Sequence, residues 1–283
     1  MKSIFISICL LCFFFVQHGA AALEKETISV SGKQRVYSIH EPEDTYGEEV
    51  PLLIILHASD EEGNSFAHDS DWFSLAEIMQ FYVVTPEALP LSTDPDTHVW
   101  NAGSDTSAWA GFADDVTFLD TLIDHLLKKY KFSIDPQSIF ITGQGEGACM
   151  AYYYASRTSH KIAALVTSGG CLLESLDSRV PPTQIIHVSG MNDDVYPYYG
   201  GTHRTMNIPA YEDSIKPFIQ ANRCSGSEVK EENDHYIHLH WTSPQGKDID
   251  VYKIKNWGHE WPNAKETRIA LPDISWSILF GGF

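Results

Sequence analysis

Three glycines at alternate positions, Gly143, Gly145 and Gly147, lie between a predicted strand and a predicted helix. Residues 138–142 (SIFIT) are a short apolar run typical of a buried strand, and residues 147–156 restart as a helix. The outer glycines let helix and strand approach closely because they have no Cβ, and the central glycine tolerates a positive φ. The segment therefore predicts a strand, a sharp turn and a helix packed tightly together.

Apolar strands and amphipathic helices alternate along the rest of the chain. Residues 114–130 (DDVTFLDTLIDHLLKKY) are the clearest helix, with apolar positions at a 3.6-residue period, acids at the start and lysines at the end. Short apolar runs, typical of parallel strands covered on both faces, occur at residues 51–57 (PLLIILH), 81–85 (FYVVT), 163–167 and 184–188. Further strands are predicted at 34–40, 235–241 and 251–254, and further helices at 72–79, 215–221 and 274–280.

This alternation implies right-handed crossovers onto a mostly parallel central sheet. We therefore expect an α/β fold with helices on both faces of the sheet. The chain has 283 residues and is 43% hydrophobic, which is enough for one large core, and no linker-like run divides it. Residues 23–283 are accordingly predicted to form a single domain.

The first 22 residues have the pattern of a secretory signal. Lys2 supplies a positive start, residues 4–16 form an apolar run, and small residues follow at positions 20–22. The apolar run is shorter than the roughly 20 residues that span a bilayer. We expect cleavage after Ala21 or Ala22 and a mature protein that is secreted, extracellular and not associated with membranes.

An excess of acidic residues dominates the charge of the chain. It has 38 acidic and 19 basic residues, which gives a formal net charge of −19 at pH 7. Such a surface repels nucleic acid and anionic membranes, so nucleic-acid partners are excluded. We interpret the charge as solubility outside the cell or, alternatively, as attraction for cations such as calcium or for a mineral face. The acids are scattered along the chain and form no metal-binding loop.

Three cysteines remain once the signal is removed: Cys149, Cys171 and Cys224. In an oxidising compartment one pair can close, and Cys171 with Cys224 is the predicted disulfide because Cys149 lies in a predicted buried helix.

His238 and His240 share one face of a predicted strand, a spacing that suits metal binding, but no third ligand is evident. We therefore predict no metal site and no cofactor.

The glycine-rich turn matches the pattern G-x-S-x-G except that Gly145 stands at the serine position. In that pattern a strand-to-helix turn lifts the serine above a sheet. Five other segments add to the match: 56–58 (LHA), 100–101 (WN), 114–116 (DDV), 188–201 (VSGMNDDVYPYYGG) and 256–263 (NWGHEWPN). With these motifs, the chain from about residue 30 to its end resembles the secreted polyhydroxybutyrate depolymerase and feruloyl or acetylxylan esterase family of the α/β-hydrolase fold.

The resemblance implies a catalytic triad in which Gly145 holds the nucleophile position, Asp193 is the acid and His259 is the base. A histidine with a pKa near 6.5 takes a hydroxyl proton at neutral pH, and a buried carboxylate fixes its tautomer. Asp194 is the neighbouring candidate acid, and the spacing to the Val-Tyr-Pro run that follows favours Asp193.

The resemblance also implies an oxyanion hole and a substrate cleft. The oxyanion donors are the backbone N–H groups of Glu146 and of Ala58 or Ser59. Unless Glu146 turns away or is protonated, its carboxylate and the acidic run at residues 60–62 oppose a developing oxyanion. We expect substrate to contact aromatic side chains in the cleft loops: His57, Trp100, Tyr198 and Trp261, with Trp109, Tyr196 and Tyr199 as further candidates.

Three functions are compatible with this pattern. Because residue 145 has no hydroxyl, the first is a catalytically inactive, secreted esterase-like protein that acts outside the cell as a binding or structural protein, with a small-molecule or polymeric ester or carbohydrate as the ligand of its cleft. The alternative is an active or weakly active carboxylic ester hydrolase for polyester, feruloyl or acetyl esters, which uses water, Glu146 or a displaced serine such as Ser59, Ser104 or Ser107. The third is an acidic extracellular matrix-type protein with a vestigial pocket.

Overall fold

The computed structural model describes residues 23, 25–59, 63–91, 93–103, 113–174, 180–203 and 206–280. Several sequence predictions lie outside these residues: the secretory signal at 1–22, the acidic run at 60–62, and the candidates Ser104, Ser107 and Trp109.

Strands account for much of the described chain. They are β1 (Lys25–Val30), β2 (Lys33–His40), β3 (Val50–Leu56), β4 (Tyr82–Pro86), β5 (Leu89–Pro90), β6 (His98–Val99), β7 (Ile134–Gln144), β8 (Ile162–Ser168), β9 (Gln184–Gly190), β10 (Gly201–His203), β11 (Met206–Ile208), β12 (Glu228–Glu232), β13 (Tyr236–Trp241) and β14 (Ile249–Ile254).

The described helices connect these strands. They are α1 (Gly63–Asp69), α2 (Trp72–Met79), α3 (Asp115–Lys129), α4 (Glu146–Ala155), α5 (Tyr211–Ser214), α6 (Lys216–Ala221), α7 (Ala264–Thr267) and α8 (Leu271–Phe280). None of them is long and apolar enough to cross a membrane.

Most of the strands form one mixed sheet with a parallel centre. Among the described residues its order is β1-β2-β4-β3-β7-β8-β9-β14-β13-β12. The strands from β4 to β14 in that order are parallel to one another. Antiparallel strands complete both edges: β1 and β2 on one side, β13 and β12 on the other. The predicted mostly parallel α/β-hydrolase sheet in one domain is confirmed.

Strand β3 has a continuous apolar sequence because it contacts a hydrophobic core on each face of the sheet. Leu52, Ile54 and Leu56 point into one core, which also contains apolar residues of α3 and α4. Leu53 and Ile55 point into a second core, which contains apolar residues of α1, α2 and α8. Because both faces of the strand are covered, every position is apolar. Helices therefore pack on both faces of the sheet, as the sequence predicts.

Helix α3 is fixed at its start and along its buried face. The Asp114 side chain accepts a hydrogen bond from the backbone N–H of Thr117 at 3.0 Å and so caps the helix. The next residue, Asp115, forms a buried ion pair of 2.7 Å with Arg35 of β2. The Arg35 guanidinium also stacks on Phe118, 3.8 Å from its ring centroid. These contacts tie the helix to the antiparallel edge of the sheet.

The predicted disulfide between Cys171 and Cys224 is wrong, because all three described thiols are free. Cys171 lies against a different cysteine, and its backbone N–H donates to the sulfur of Cys149 at 3.4 Å. Cys224 lies elsewhere, with its sulfur 4.0 Å from the carbonyl oxygen of Lys247. Cys149 is buried as predicted, but its helix packs directly over the Cys171 segment.

Candidate active site

Three loops at one edge of the parallel sheet carry the residues of the candidate site. Gly145 follows β7, Asp193 follows β9, and His259 follows β14. In the sheet β7 and β9 flank β8, and β14 is the next strand. Because parallel strands end at the same edge of a sheet, residues distant in sequence meet there.

Asp193 and His259 form a hydrogen-bonded pair. The imidazole Nδ1–H donates to Asp193 Oδ2 at 2.8 Å. The other carboxylate oxygen accepts backbone N–H groups of Val195 at 2.9 Å and Tyr196 at 2.8 Å. The Asp193 side chain is fully buried, whereas 24% of the His259 side chain is exposed. The neighbouring Asp194 is exposed to solvent.

The environment of Asp193 favours its ionised form. Burial raises the pKa of this carboxyl, but the hydrogen bonds from His259 and from two backbone N–H groups outweigh burial, and the pKa is below its usual value. An ionised carboxylate only accepts hydrogen bonds, so His259 must carry its proton on Nδ1. In the neutral imidazole, Nε2 then carries the lone pair that a general base requires.

Gly145 adopts a backbone conformation that glycine tolerates best, with φ 55° and ψ −118°. Its N–H donates to the carbonyl oxygen of Ser168 at 2.9 Å, which anchors the turn to the neighbouring strand. A Cβ built at residue 145 would lie 2.9 Å from His259 Nε2 and 3.7 Å from Tyr196 Cε2. A side chain at this position would therefore point directly at the basic nitrogen.

The outer glycines of the turn are required by packing, as the sequence predicts. A Cβ at Gly143 would lie 2.6 Å from the carbonyl carbon of Gly147. A Cβ at Gly147 would collide with the carbonyl oxygen of Leu56 in β3. Both obstacles are backbone atoms, which cannot rotate away, so the close approach of α4 to the sheet depends on glycine.

The Glu146 carboxylate lies beside this turn. Its side chain is buried, and its Oε2 accepts a hydrogen bond from the Ser59 hydroxyl. This contact brings together the two segments from which the oxyanion donors are predicted, residues 58–59 and 145–146. The carboxylate thus points towards the loop after β3, where Ala58 is half-buried.

Tyr196 forms one wall of the space above Gly145. Its ring is buried and lies 5.5 Å from the His259 ring, centroid to centroid. Burial, together with the nearby Cys149 and Glu146 groups, raises the pKa of Tyr196 far above its usual value, so its phenol stays protonated. Sequence reasoning included Tyr196 only in a set of aromatic candidates, because a sequence does not show which ring faces the base.

The loops that carry the pair are tied to one another. The Gln144 side-chain amide donates to the carbonyl oxygen of His259 at 3.0 Å. The Asn192 backbone N–H donates to the carbonyl oxygen of Trp257 at 2.8 Å. The relative position of acid and base therefore depends on backbone contacts as well as on their own hydrogen bond.

The prediction that His57 and Trp100 contact substrate is wrong, because both side chains are completely buried. His57 Nδ1–H donates to the Ala58 carbonyl at 2.7 Å, and its Nε2 accepts the Ala88 N–H at 3.1 Å. The Trp100 indole N–H donates to the His57 carbonyl at 3.0 Å. These hydrogen bonds anchor the segment that follows β3.

Tyr198 also belongs to the core, contrary to its predicted role in substrate binding. Its side chain is buried, and its hydroxyl donates to Glu212 at 2.8 Å. Trp261, by contrast, is half-buried and packs edge to face on Phe66, 5.1 Å between centroids. Tyr199, next to Tyr198, is 70% exposed. Of the four predicted substrate-binding side chains, Trp261 therefore remains a candidate.

The prediction of no metal site did not take into account a third candidate ligand, the carboxylate of Asp250. Asp250 of β14 lies beside His238 and His240 of β13, and these side chains form a group of metal-ligand type in the described part of the chain. Sequence reasoning did not find Asp250 because its position opposite His240 depends on strand register.

Comparison with known proteins finds curated relatives that are named as esterases. No family model matches the chain. The chain is 29% identical over 210 residues to a bifunctional acetylxylan esterase/xylanase of Neocallimastix patriciarum, a match covering 74% of this chain and 28% of that protein. It is 25% identical over 177 residues to a probable feruloyl esterase C of Aspergillus terreus, covering 62% of this chain and 61% of that protein. These matches span less than two thirds of either relative.

A solved structure supports the fold independently. The acetyl xylan esterase from Aspergillus awamori matches with a TM-score of 0.61 at 14% sequence identity, over 89% of this chain and 98% of that one. At that identity the likeness shows the fold alone. The chain therefore has an α/β-hydrolase fold, and the curated proteins to which it is similar are named as acetylxylan and feruloyl esterases.

Proposed function

We propose that this chain is an exported, esterase-like protein that keeps the acid and base of a hydrolase site, lacks its nucleophile, and binds an ester or carbohydrate ligand without hydrolysing it. The observation that carries the proposal is the geometry above Gly145. The Asp193–His259 pair is formed, and the side-chain direction of residue 145 points at His259 Nε2. Glycine places no hydroxyl there.

The missing hydroxyl removes covalent catalysis. Without an Oγ the base has no serine proton to accept, and no acyl-enzyme forms at residue 145. Removing one member of a triad typically lowers turnover by about 10⁴ to 10⁶. What remains at the site is a general base, His259, beside the buried Tyr196 ring.

The position of the imidazole also suits glycine better than serine. A serine hydroxyl that hydrogen-bonds Nε2 at about 2.8 Å would hold its Cβ about 3.6 Å away. In this chain the distance from the built Cβ of residue 145 to His259 Nε2 is 2.9 Å. The imidazole therefore stands about 0.7 Å closer to the turn than a serine would allow.

Negative charge beside the turn argues against acyl transfer as well. An oxyanion hole works through donors aimed at a developing negative charge. Here the buried Glu146 carboxylate lies next to the turn and accepts the Ser59 hydroxyl. A second anion close to that carboxylate is disfavoured.

Export and ligand class rest on the sequence and on the relatives. Residues 1–22 have the pattern of a secretory signal, and the net charge of −19 disfavours nucleic acid and anionic membranes as partners. The curated relatives are named as acetylxylan and feruloyl esterases. Acetylated xylan fragments and feruloyl esters are accordingly the proposed ligands, with Trp261 as the aromatic contact.

Hydrolysis of p-nitrophenyl acetate tests the loss of catalysis. We expect wild-type turnover indistinguishable from buffer and a rise of at least about 10³-fold in Gly145→Ser, in which the His259 ring moves back to accommodate the serine. Wild-type turnover that His259→Ala abolishes would overturn the proposal.

Binding of acetylated xylo-oligosaccharides, followed by tryptophan fluorescence, tests the proposed ligand class. Trp261→Ala should weaken this binding, and Tyr46→Ala, a change at an exposed aromatic side chain, should not.

A second candidate, a weak hydrolase, is favoured by one contact. The Ser59 hydroxyl donates to the Glu146 carboxylate, so a serine and a base are already paired near the turn. If this pair acts on esters, Ser59→Ala abolishes a measurable wild-type turnover that His259→Ala leaves intact. The same p-nitrophenyl acetate assay therefore separates the two functions.

A further inference from the structure

Two histidines and a carboxylate converge on the antiparallel edge of the sheet. His238 and His240 are two residues apart on β13, so their side chains share one face. Asp250 of β14 lies directly opposite His240 in the strand register. The sheet itself thus brings three metal-ligand side chains together on one face.

The distances show a tight convergence on one carboxylate oxygen. His238 Nε2 lies 2.7 Å and His240 Nδ1 lies 2.8 Å from Asp250 Oδ1. All three ligand atoms lie within 4.8 Å of one another. The Asp250 side chain is 6% exposed, and the two imidazoles are 15% and 14% exposed, so the group is largely shielded from water while an edge stays accessible.

Neighbouring side chains orient the two imidazoles. Tyr252 stacks on His238 with 4.2 Å between centroids and 13° between planes. Asp248 Oδ2 lies 3.7 Å from His240 Nε2, the nitrogen that does not face Asp250. A carboxylate behind a histidine is the arrangement that commonly supports a metal-bound imidazole.

The surroundings are acidic. On the edge strand β12, Glu228 pairs in register with His240, and Glu231 pairs with His238. Lys230 of the same strand is engaged with Glu228, at 2.6 Å. Together with the negative charge of the whole chain, these carboxylates favour a cation over an anion at this edge.

We propose that His238, His240 and Asp250 bind a Zn²⁺ ion. Two imidazole nitrogens and one carboxylate oxygen are a ligand set that suits zinc, with water as the fourth ligand of a tetrahedron. Zinc bonds of about 2.0–2.1 Å place ligand atoms about 3.3 Å apart. The separations of 2.7 and 2.8 Å therefore have to open by about 0.5 Å, which small rotations of the two imidazoles provide.

This site is separate from the candidate active site. Asp250 is the second residue of β14, whereas the loop that carries His259 begins beyond the other end of the strand, after Ile254. A zinc ion at this position joins β13 to β14 and stabilises the edge of the sheet. The inference is independent of whether the protein hydrolyses esters.

Calorimetric titration of EDTA-treated, dialysed full-length protein with ZnCl₂ tests the site. We expect one saturable ion per chain, and His240→Ala and Asp250→Asn should each weaken binding at least about tenfold. The matched control is His235→Ala, because His235 is an exposed histidine just before the same strand. No saturable binding by the wild type, or an equal loss in the control, would overturn the proposal.

A second variant separates ligand loss from misfolding. His238→Gln keeps an N–H donor for Asp250 but replaces the imidazole ligand, and circular dichroism without zinc checks its fold. We expect this variant to fold and to bind Zn²⁺ at least about tenfold more weakly. Unchanged zinc affinity would show that His238 is not a ligand.

Titration of the wild type with Co²⁺ adds a spectroscopic readout. The visible absorption bands of tetrahedral Co²⁺ are expected, and their absence contradicts the proposed geometry.

Discussion

Replacing His187 by phenylalanine tests how a buried base makes the fold sensitive to acid. His187 lies on β9 and is fully buried, with its ring stacked on Tyr211 at 3.8 Å between centroids. Its Nδ1 lies 2.9 Å from the Thr167 hydroxyl and its Nε2 lies 3.2 Å from the Ser189 hydroxyl. Burial lowers the pKa of His187 to about 3, although the charge of Asp193 acts in the opposite direction.

The sign and size of the effect follow from proton linkage. In the unfolded chain the histidine has its ordinary pKa of 6.5, so between pH 6.5 and 3 the unfolded state binds more protons than the folded state. Stability therefore falls as the pH is lowered through this window, by about 3 kcal/mol between pH 6.5 and 4. Phenylalanine keeps a ring stacked on Tyr211 and does not titrate. It cannot form the hydrogen bonds to the Thr167 and Ser189 hydroxyls, which lowers the free energy of unfolding by about 1–3 kcal/mol at neutral pH.

Urea unfolding followed by tryptophan fluorescence, at pH values from 7 to 4, measures both effects. We expect His187→Phe to be less stable than the wild type at pH 7 and the difference to shrink or reverse by pH 4. His235→Phe, a change at an exposed histidine, should leave the pH profile of the wild type unaltered. Parallel profiles for His187→Phe and the wild type would refute the reasoning, because they would show that burial of His187 does not govern acid stability.

Two further predictions concern packing and buried charge, both measured as free energies of unfolding. Gly147→Ala should cost about 3 kcal/mol or more because its Cβ meets the backbone of β3, whereas Gly226→Ala, with open space around it, should change stability by less than about 0.5 kcal/mol. Arg35→Leu should cost about 3–5 kcal/mol because it leaves the buried Asp115 charge uncompensated. Lys216→Ala, which breaks an exposed ion pair, should cost less than about 1 kcal/mol. Equal effects within either pair would contradict the role given to burial.

The central strands and main helices were predictable because their burial leaves a pattern in the sequence. The run of β3 is apolar at each position since both faces are covered, and α3 shows the period of a helix with one buried face. Strand β12 (EVKEE) is exposed at all five positions, so nothing in its sequence distinguishes it from a loop. Its pairing with β13 creates the strand, and pairing partners are not encoded locally.

The candidate site was predictable as a set of loops but not as a set of contacts. The segments around Asp193 and His259 carry recognisable motifs at the ends of strands, and their meeting follows from sheet topology. Sequence does not show whether an aromatic side chain turns inwards, and Trp100 was misassigned for that reason. The contact of Asp250 with two histidines also depends on strand register, which the sequence does not specify.

Labelling with a fluorophosphonate, read by intact mass, tests the central claim that the Asp193–His259 pair is formed and that the missing nucleophile at residue 145 prevents covalent catalysis. The reagent forms a covalent bond with a serine that an adjacent base activates. We predict no adduct on the wild type, one adduct on Gly145→Ser, and none on Gly145→Ser combined with His259→Ala. An adduct on the wild type, or a folded Gly145→Ser that stays unlabelled, would contradict the account.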